Sequence, residues 1–483
     1  MLAGKFRWLG FGVLAGMTAG LLTLTSVLHS AFAFGDDTAL VMGPSGFPVP
    51  PPTYLDTVND LFLHLPAENV IPLTTPEGLY PVTGVNTLPL DSSVAQGEAT
   101  LNNAIQYQVN DLGNHVEVFG YSQSSVISSL LMSQLQTEGI SPNDVSFTLV
   151  GDPNNPDGGM LERFVGLSIP SFGATFSGAT PSDLYPTDIY TNEYDGFADF
   201  PRYPIDILSD LNALLGIGYD HATYLDPIPG SQLMDLGTFG DTTYYMNTDP
   251  TLPLLDPLQV IPIIGKPLYD LLEPDMRILV NLGYGSITDG WDTQNAPDVP
   301  TPFGLFPTHI NLSDLFHALV QGTQQGITDA LKDLHSLSFG FDWSSLQPLL
   351  NAAYTFGLTP TDITNPLDPP SNLLELINAI STFANGDVPI APSNFLDALT
   401  GAISTDIGVI KPLADSALAL GITLPQYDAS LFVDGLESGN LLAAIGDPVA
   451  ADVALVPLAL GFGLLPILEA GAINISEFAN LIP

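Results

Sequence analysis

Between His115 and Leu131 the chain reads as a strand, a tight turn and a helix in immediate succession, and few folds accommodate that order. His115-Val116-Glu117-Val118-Phe119 is β-like and stops at Gly120, and Val126, Ile127, Leu130, Leu131 and Leu135 then keep helical spacing from about Ser124 to Gln136. Only Gly120-Tyr121-Ser122-Gln123-Ser124 links the two. A serine in so sharp a bend is lifted above the sheet edge, and the residues two before and two after it must be small because strand and helix backbones pass close by. Gly120 and Ser124 meet that demand, with serine standing where G-x-S-x-G has its second glycine. The short pattern alone also fits an ordinary serine-rich helix N-cap. Its placement between strand and helix is what gives it weight.

The flanking segments have the same alternation. Thr38 to Met42 is a short apolar run closed by Gly43-Pro44-Ser45-Gly46, and the prolines at 48, 50, 51 and 52 hold the chain extended until a helix starts near Thr53. A further helix is expected from Ser92 to Asn110, weakened by Gly97, and a strand from Val145 to Val150 ending at Gly151-Asp152-Pro153. Strands alternating with helices imply crossover connections, hence an α/β fold with a mostly parallel sheet and helices on both faces. Beyond about 308 the texture becomes helical and Pro/Gly-punctuated, as in Leu312 to Leu334, Asn372 to Phe383 and Phe395 to Ile403. Val449 to Leu468 is a long apolar run interrupted by Asp452, Pro457, Gly461, Gly463 and Pro466. It reads as a buried or surface helix, with membrane insertion as the second reading.

Lys5 and Arg7 precede an apolar stretch from about Trp8 to Leu28, and Ala31-Phe32-Ala33 offers the small-x-small pattern of a signal-peptidase site. Residues 1–33 are therefore expected to be a signal peptide or an N-terminal membrane anchor, 34–308 the α/β domain and 309–483 a helical region of unknown role. The remainder is expected to be exported, either secreted or held in the cell envelope. With 8 Lys and Arg against 52 Asp and Glu the net charge is -44, and such a field repels a phosphate backbone, so no nucleic-acid partner is expected. The absence of cysteine excludes a thiol nucleophile and Cys-ligated zinc, and the seven histidines show no H-E-x-x-H spacing, so neither metal nor cofactor is expected.

A serine nucleophile needs a base, and the base needs an orienting carboxylate; in α/β hydrolases they follow in the order serine, acid, histidine. His29 lies in the leader and His64 and His115 precede Ser122, which leaves His221, His309, His317 and His335. His221 is preferred because Gly218 to Tyr224 is loop-like and within the α/β portion, whereas His317 and His335 fall in helical stretches. The expected acid is Asp195, at the end of a strand running from Asp188 to Tyr194, with Asp199 as the rival and Asp152 behind both. The alternative role for Asp before Gly is turn formation. An oxyanion hole is expected from the backbone N–H of Gln123 and, since Pro44 has none, that of Ser45.

These segments together resemble the mycobacterial PE-PPE domain family, whose members look like serine esterases related to cutinases. The resemblance rests on Ala39 to Gly46, the elbow Gly120 to Ser124, Val150 to Pro153, Tyr194 to Pro201 and Gly218 to Tyr224. It continues in Leu279 to Gly285 and Thr301 to Pro307, so it runs from about 38 to 308. Gly43-Pro44 departs from the family's G-G-x-G loop, and a leader stands where a PE or PPE helical module would be. That arrangement resembles the family's membrane-associated acyltransferases, which move fatty acyl chains between trehalose glycolipids. The resemblance implies an exported esterase or lipase acting through a Ser-His-Asp triad and an acyl-enzyme, or an acyltransferase on cell-envelope glycolipids. Substrates are then acyl esters or glycolipids, with membrane or cell-wall association through the N-terminal segment. A reading of another class is a non-catalytic envelope protein that binds lipid or protein.

Overall fold

The computed structural model describes residues 37–226, 228–336 and 410–479; the N-terminal segment and the stretches expected to be helical within 372–403 lie outside them. Strand β1 (Thr38–Val41) leads into the Gly43-Pro44-Ser45-Gly46 loop. Helix α1 (Pro52–Val58) starts at a proline, in the first helical position, where a missing N–H leaves no hydrogen bond unmade. Then come β2 (Val70–Pro72), α2 (Leu90–Gln106), β3 (Val116–Tyr121), α3 (Gln123–Glu138) and β4 (Val145–Val150). A short helix α4 (Met160–Arg163) and a small hairpin of β5 (Ser168–Ile169) and β6 (Ala174–Thr175) precede β7 (Thr187–Asn192) and α5 (Ile207–Tyr219). A second hairpin, β8 (Leu233–Phe239) and β9 (Thr242–Asn247), is followed by α6 (Asp256–Gln259), α7 (Gly265–Asn281) and α8 (Leu312–Ser336). The described chain closes with α9 (Ile410–Leu418), α10 (Leu424–Glu437) and α11 (Leu441–Ala479).

Seven strands form one sheet in the order β2-β1-β3-β4-β7-β9-β8, parallel throughout except for β8 against β9. From β1 the chain first goes outward to β2 and then returns to the other side of β1 with β3. Loops diverge at such a switch point, and ligands bind in the crevice outside the carboxyl ends of the strands there. The loop after β1 and the turn after β3 flank this crevice. Register keeps the neighbouring strand ends level: Val41 pairs with Phe119, and Tyr121 with Val150.

Both faces of the sheet are buried at β1, β3 and β4, which is why these strands read as apolar runs. Leu40, Met42, Val116, Val118, Phe147, Leu149 and Ile189 point to one core and Ala39, Val41, Phe119, Tyr121 and Val150 to the other. The first core extends into α2 and α3. Gly97 serves that contact, since a Cβ there would lie 2.3 Å from Ile127 Cδ1. Residues on both sides of position 308 share this core, because Ala419, Leu424, Ala451, Ala454, Leu455 and Leu458 are buried within it.

The strand expected over 188–194 ends at Asn192, and Tyr194 turns the chain with φ +67°. Helix α5 continues through Tyr219, so Gly218 and Tyr219 are helical and His221 lies in the turn just after the helix C-terminus. The apolar run around Val449 to Leu468 belongs to one helix, α11. Its Leu441–Leu465 part is long and apolar enough to cross a membrane by length and composition, yet Ala450, Ala451, Ala454, Leu455 and Leu458 are buried against the rest of the protein.

Candidate active site

Ser122 occupies the junction of β3 and α3 with φ +58° and ψ -115°, a conformation that L-residues adopt only when the surroundings enforce it. The enforcement is visible. A Cβ on Gly120 would lie 2.8 Å from Ser124 O, so nothing larger than glycine fits under the first turn of α3. Ser124 Oγ accepts from Tyr121 N at 2.8 Å and donates to Tyr121 O at 3.1 Å, tying the bend together from the position where a second glycine would have no side chain to do so.

His221 Nε2 lies 2.8 Å from Ser122 Oγ, and His221 Nδ1 lies 2.7 Å from Asp195 Oδ2. A carboxylate can only accept, so Nδ1 carries the ring proton and Nε2 is left with a lone pair toward the serine hydroxyl. Asp195 Oδ2 also accepts from Tyr224 Oη at 2.7 Å, and Oδ1 accepts from Phe197 N at 2.9 Å. The carboxyl thus forms the turn and holds the imidazole at once. Burial, then the nearby Asp195, pushes the Tyr224 phenol well above its ordinary value, so this phenol stays a donor. The Tyr121 hydroxyl donates to the His221 backbone carbonyl.

The acid and the histidine come from different segments that glycine locks together. A Cβ on Gly216 of α5 would sit 1.9 Å from Tyr194 O, and one on Gly196 would sit 2.1 Å from Ala213 O. Helix α5 therefore lies against the 194–200 loop at backbone distance, which fixes His221 relative to Asp195. The loop is anchored from behind: Tyr194 Oη donates to Asn281 Oδ1 at 2.7 Å and Tyr284 Oη to Asp199 O at 3.2 Å. This gives the 279–285 segment its place in the architecture.

Asp199 is fully buried, and its Oδ2 accepts from Tyr194 N at 3.0 Å. Asp152 accepts from Asn154 N and from Thr180 Oγ1. Neither touches His221. His309 reaches Gly285 O and takes no part in the cluster. Gln123 N–H stands at the N-terminus of α3, where the first N–H groups have no helical partner. The Gln123 side chain donates to Ser45 Oγ at 3.0 Å and to Gly78 O at 2.8 Å, and accepts from Ser93 Oγ at 2.6 Å, which draws the β1 loop to the elbow. Sequence reasoning missed Tyr224, Tyr121 and the Gln123 amide. All three lie inside segments it had singled out, so a tally of phenols and amides near the elbow would have raised them. Among the described residues no group of His, Asp or Glu has a metal-binding arrangement.

Ser122 and His221 open into an apolar cavity of about 710 Å³ whose wall includes Leu79, Leu214, Ile217, Pro457, Leu458 and Phe462. A hydroxyl placed so can pass its proton to Nε2 while attacking an electrophile held in that cavity.

A profile of the PE-PPE domain matches residues 66–285. An uncharacterized PPE family protein of Mycobacterium tuberculosis, PPE28, is 41% identical over 476 residues, covering 95% of this chain and 70% of that protein. The chain belongs to the PE-PPE domain family. Its relatives in M. tuberculosis include the esterase PE16, 43% identical over 304 residues, and the SL1278 acyltransferase Chp1, 29% identical over 292. These matches take in 61% and 56% of this chain, and 56% and 69% of the respective relatives. The profile of this PE-PPE protein begins after β1, so Ser45 lies outside the matched span while Ser122, Asp195 and His221 lie within it.

Proposed function

We propose that this protein is an exported serine esterase of lipid-like acyl esters, with Ser122 as nucleophile, His221 as general base and Asp195 as the residue that holds the imidazole in its tautomer. The reading rests on one observation above all: hydrogen bonds of 2.8 and 2.7 Å join serine, imidazole and carboxylate in series, at a strained turn. Ser122 attacks the ester carbonyl as His221 takes its proton; the oxyanion is received by the N–H groups of Gln123 and Ser45; His221 returns the proton to the leaving alcohol. The relatives named as an esterase and as an acyltransferase support acyl-ester chemistry. The apolar walls beside Ser122 favour a lipid-like ester over a polar one.

A second reading, transfer of the acyl group to a sugar hydroxyl of an envelope glycolipid, uses the same residues and differs only in the acceptor. The volume of the cavity, ample for a second substrate, favours it. A fluorophosphonate probe tests the common core: the folded protein is labelled, and Ser122→Ala and His221→Ala abolish labelling. An unlabelled folded protein returns the assignment to a non-catalytic lipid- or protein-binding role. With a glycolipid substrate, free fatty acid as product marks the esterase and acylated acceptor the transferase. Export through residues 1–33 is tested by fractionating cells for the full chain, a cytosolic pool of active protein overturning it.

A further inference from the structure

Two cavities meet at Ser122. The larger, about 710 Å³, is lined by His221, and the smaller, about 80 Å³, by Gln123, without reaching His221. Apart from Ser45, Ser122 and Gln123, the smaller cavity has only apolar walls, among them Val126, Leu161, Phe172 and Phe176. Ser45, Leu79, Phe197, Leu458 and Phe462 border both.

The chemistry of ester cleavage assigns the two spaces. Oγ of Ser122 forms a bond to the carbonyl carbon, the bond from that carbon to the alcohol oxygen breaks, and the serine proton travels through His221 Nε2 to the departing alkoxide. The alcohol must therefore lie on the His221 side. The carbonyl oxygen points to the N–H groups of Gln123 and Ser45. The remaining substituent on the carbon, the acyl chain, is left the direction away from His221. We propose, resting on the serine-esterase reading above, that the acyl chain enters the small cavity and that the large cavity holds a bulky, mainly apolar alcohol. Water or an acceptor alcohol must approach the acyl-enzyme from the His221 side as well, so an acceptor occupies the same large cavity that the first alcohol leaves. The substrate is thereby an ester whose alcohol is itself lipid-like. Leu458 and Phe462 make α11, far from the elbow in sequence, the wall that both halves of the substrate share.

The test uses the full chain and two series of esters: acyl length varied on methanol, and alcohol size varied on a fixed acetyl group. Labelling by a small methyl fluorophosphonate certifies each protein beforehand. Ala174 lines only the small cavity, and Gly461 lines only the large one, where an added Cβ meets nothing within 4 Å. Ala174→Leu is expected to lower kcat/KM for long acyl chains about tenfold relative to acetyl, and Gly461→Phe to lower it about tenfold for bulky apolar alcohols relative to methanol, with no exchange between the two profiles. If Ala174→Leu does not fold, Phe176→Leu enlarges the same cavity and moves the acyl preference toward longer chains. Crossed effects, or a single profile answering to both variants, overturn the assignment while labelling persists. Loss of labelling in the unmodified protein overturns the serine-esterase reading instead.

Discussion

Asp195 and Asp199 are both fully buried on one short loop, and the difference between them lies in what each oxygen meets. Asp195 Oδ2 receives the imidazole and Tyr224 together, whereas Asp199 spends one oxygen on the Tyr194 N–H and has no partner for Oδ1. Burial pushes the Asp199 carboxyl well above the usual carboxylate range, and its contacts shape the turn. Replacing each by its amide separates the roles. Asp195→Asn presents an N–H to the imidazole or forces the wrong tautomer, and kcat is expected to fall on the order of 10⁴-fold with little change in Tm. Asp199→Asn keeps an oxygen for Tyr194 N–H and is expected to retain kcat within a few-fold. Steady-state rates of the two purified variants decide it; the reverse pattern would make Asp199 the triad acid.

Among the elements, the pairing of α5 with the acid loop is the one on which the site's geometry turns. Glycine is a poor helix former, yet at Gly216 its lack of a side chain is what lets α5 touch the Tyr194 carbonyl. Gly216→Ala is expected to cost about 1–3 kcal/mol through overpacking and, by displacing His221, to lower kcat up to about 100-fold. Gly421→Ala, with open space around the new methyl, serves as the control that changes neither. Thermal melts and kcat measured side by side check this, and a Gly216→Ala protein with unaltered rate would show that the helix does not set the histidine. Strand β4 could be read to the residue from its apolar run between turn signals, and the elbow from its small flanks. The β8–β9 hairpin could not: Leu233 and Met234 are exposed on an edge strand and a bulge between Asp235 and Gly237 breaks the alternation. Nor could the place of α11, since an apolar helix carries the same pattern whether it covers an active site, fills a core or enters a membrane.

For the molecule as a whole, the charge of -44 and the burial of carboxyls act in the same direction. Burial raises Glu77 to about 8, Asp256 to about 7, and Asp152, Asp157 and Glu193 to about 6, against ordinary values near 4. Folding therefore favours their protonated forms. The stability they contribute is full below the ordinary carboxylate range and is lost as pH rises through these raised values, so the window of loss runs from mildly acidic to mildly alkaline pH. Self-repulsion among the remaining carboxylates grows over the same interval. At constant ionic strength, Tm is expected to be about 2 °C or more higher near pH 5.5 than near pH 8, from a difference of roughly 2 kcal/mol or more. Of these five, Glu77 is raised to the highest value: its Oε1 accepts from Thr75 Oγ1 and its Oε2 has no partner, so ionising it buries an uncompensated charge beside the β1 loop. Glu77→Gln removes that ionisation at nearly constant shape. It should raise Tm near pH 8, leave it nearly unchanged near pH 5.5, and flatten the slope between them. Melting curves across that range read the effect directly; a Tm that climbs toward alkaline pH, or a slope indifferent to Glu77→Gln, would mean that these carboxyls are solvated or paired in solution.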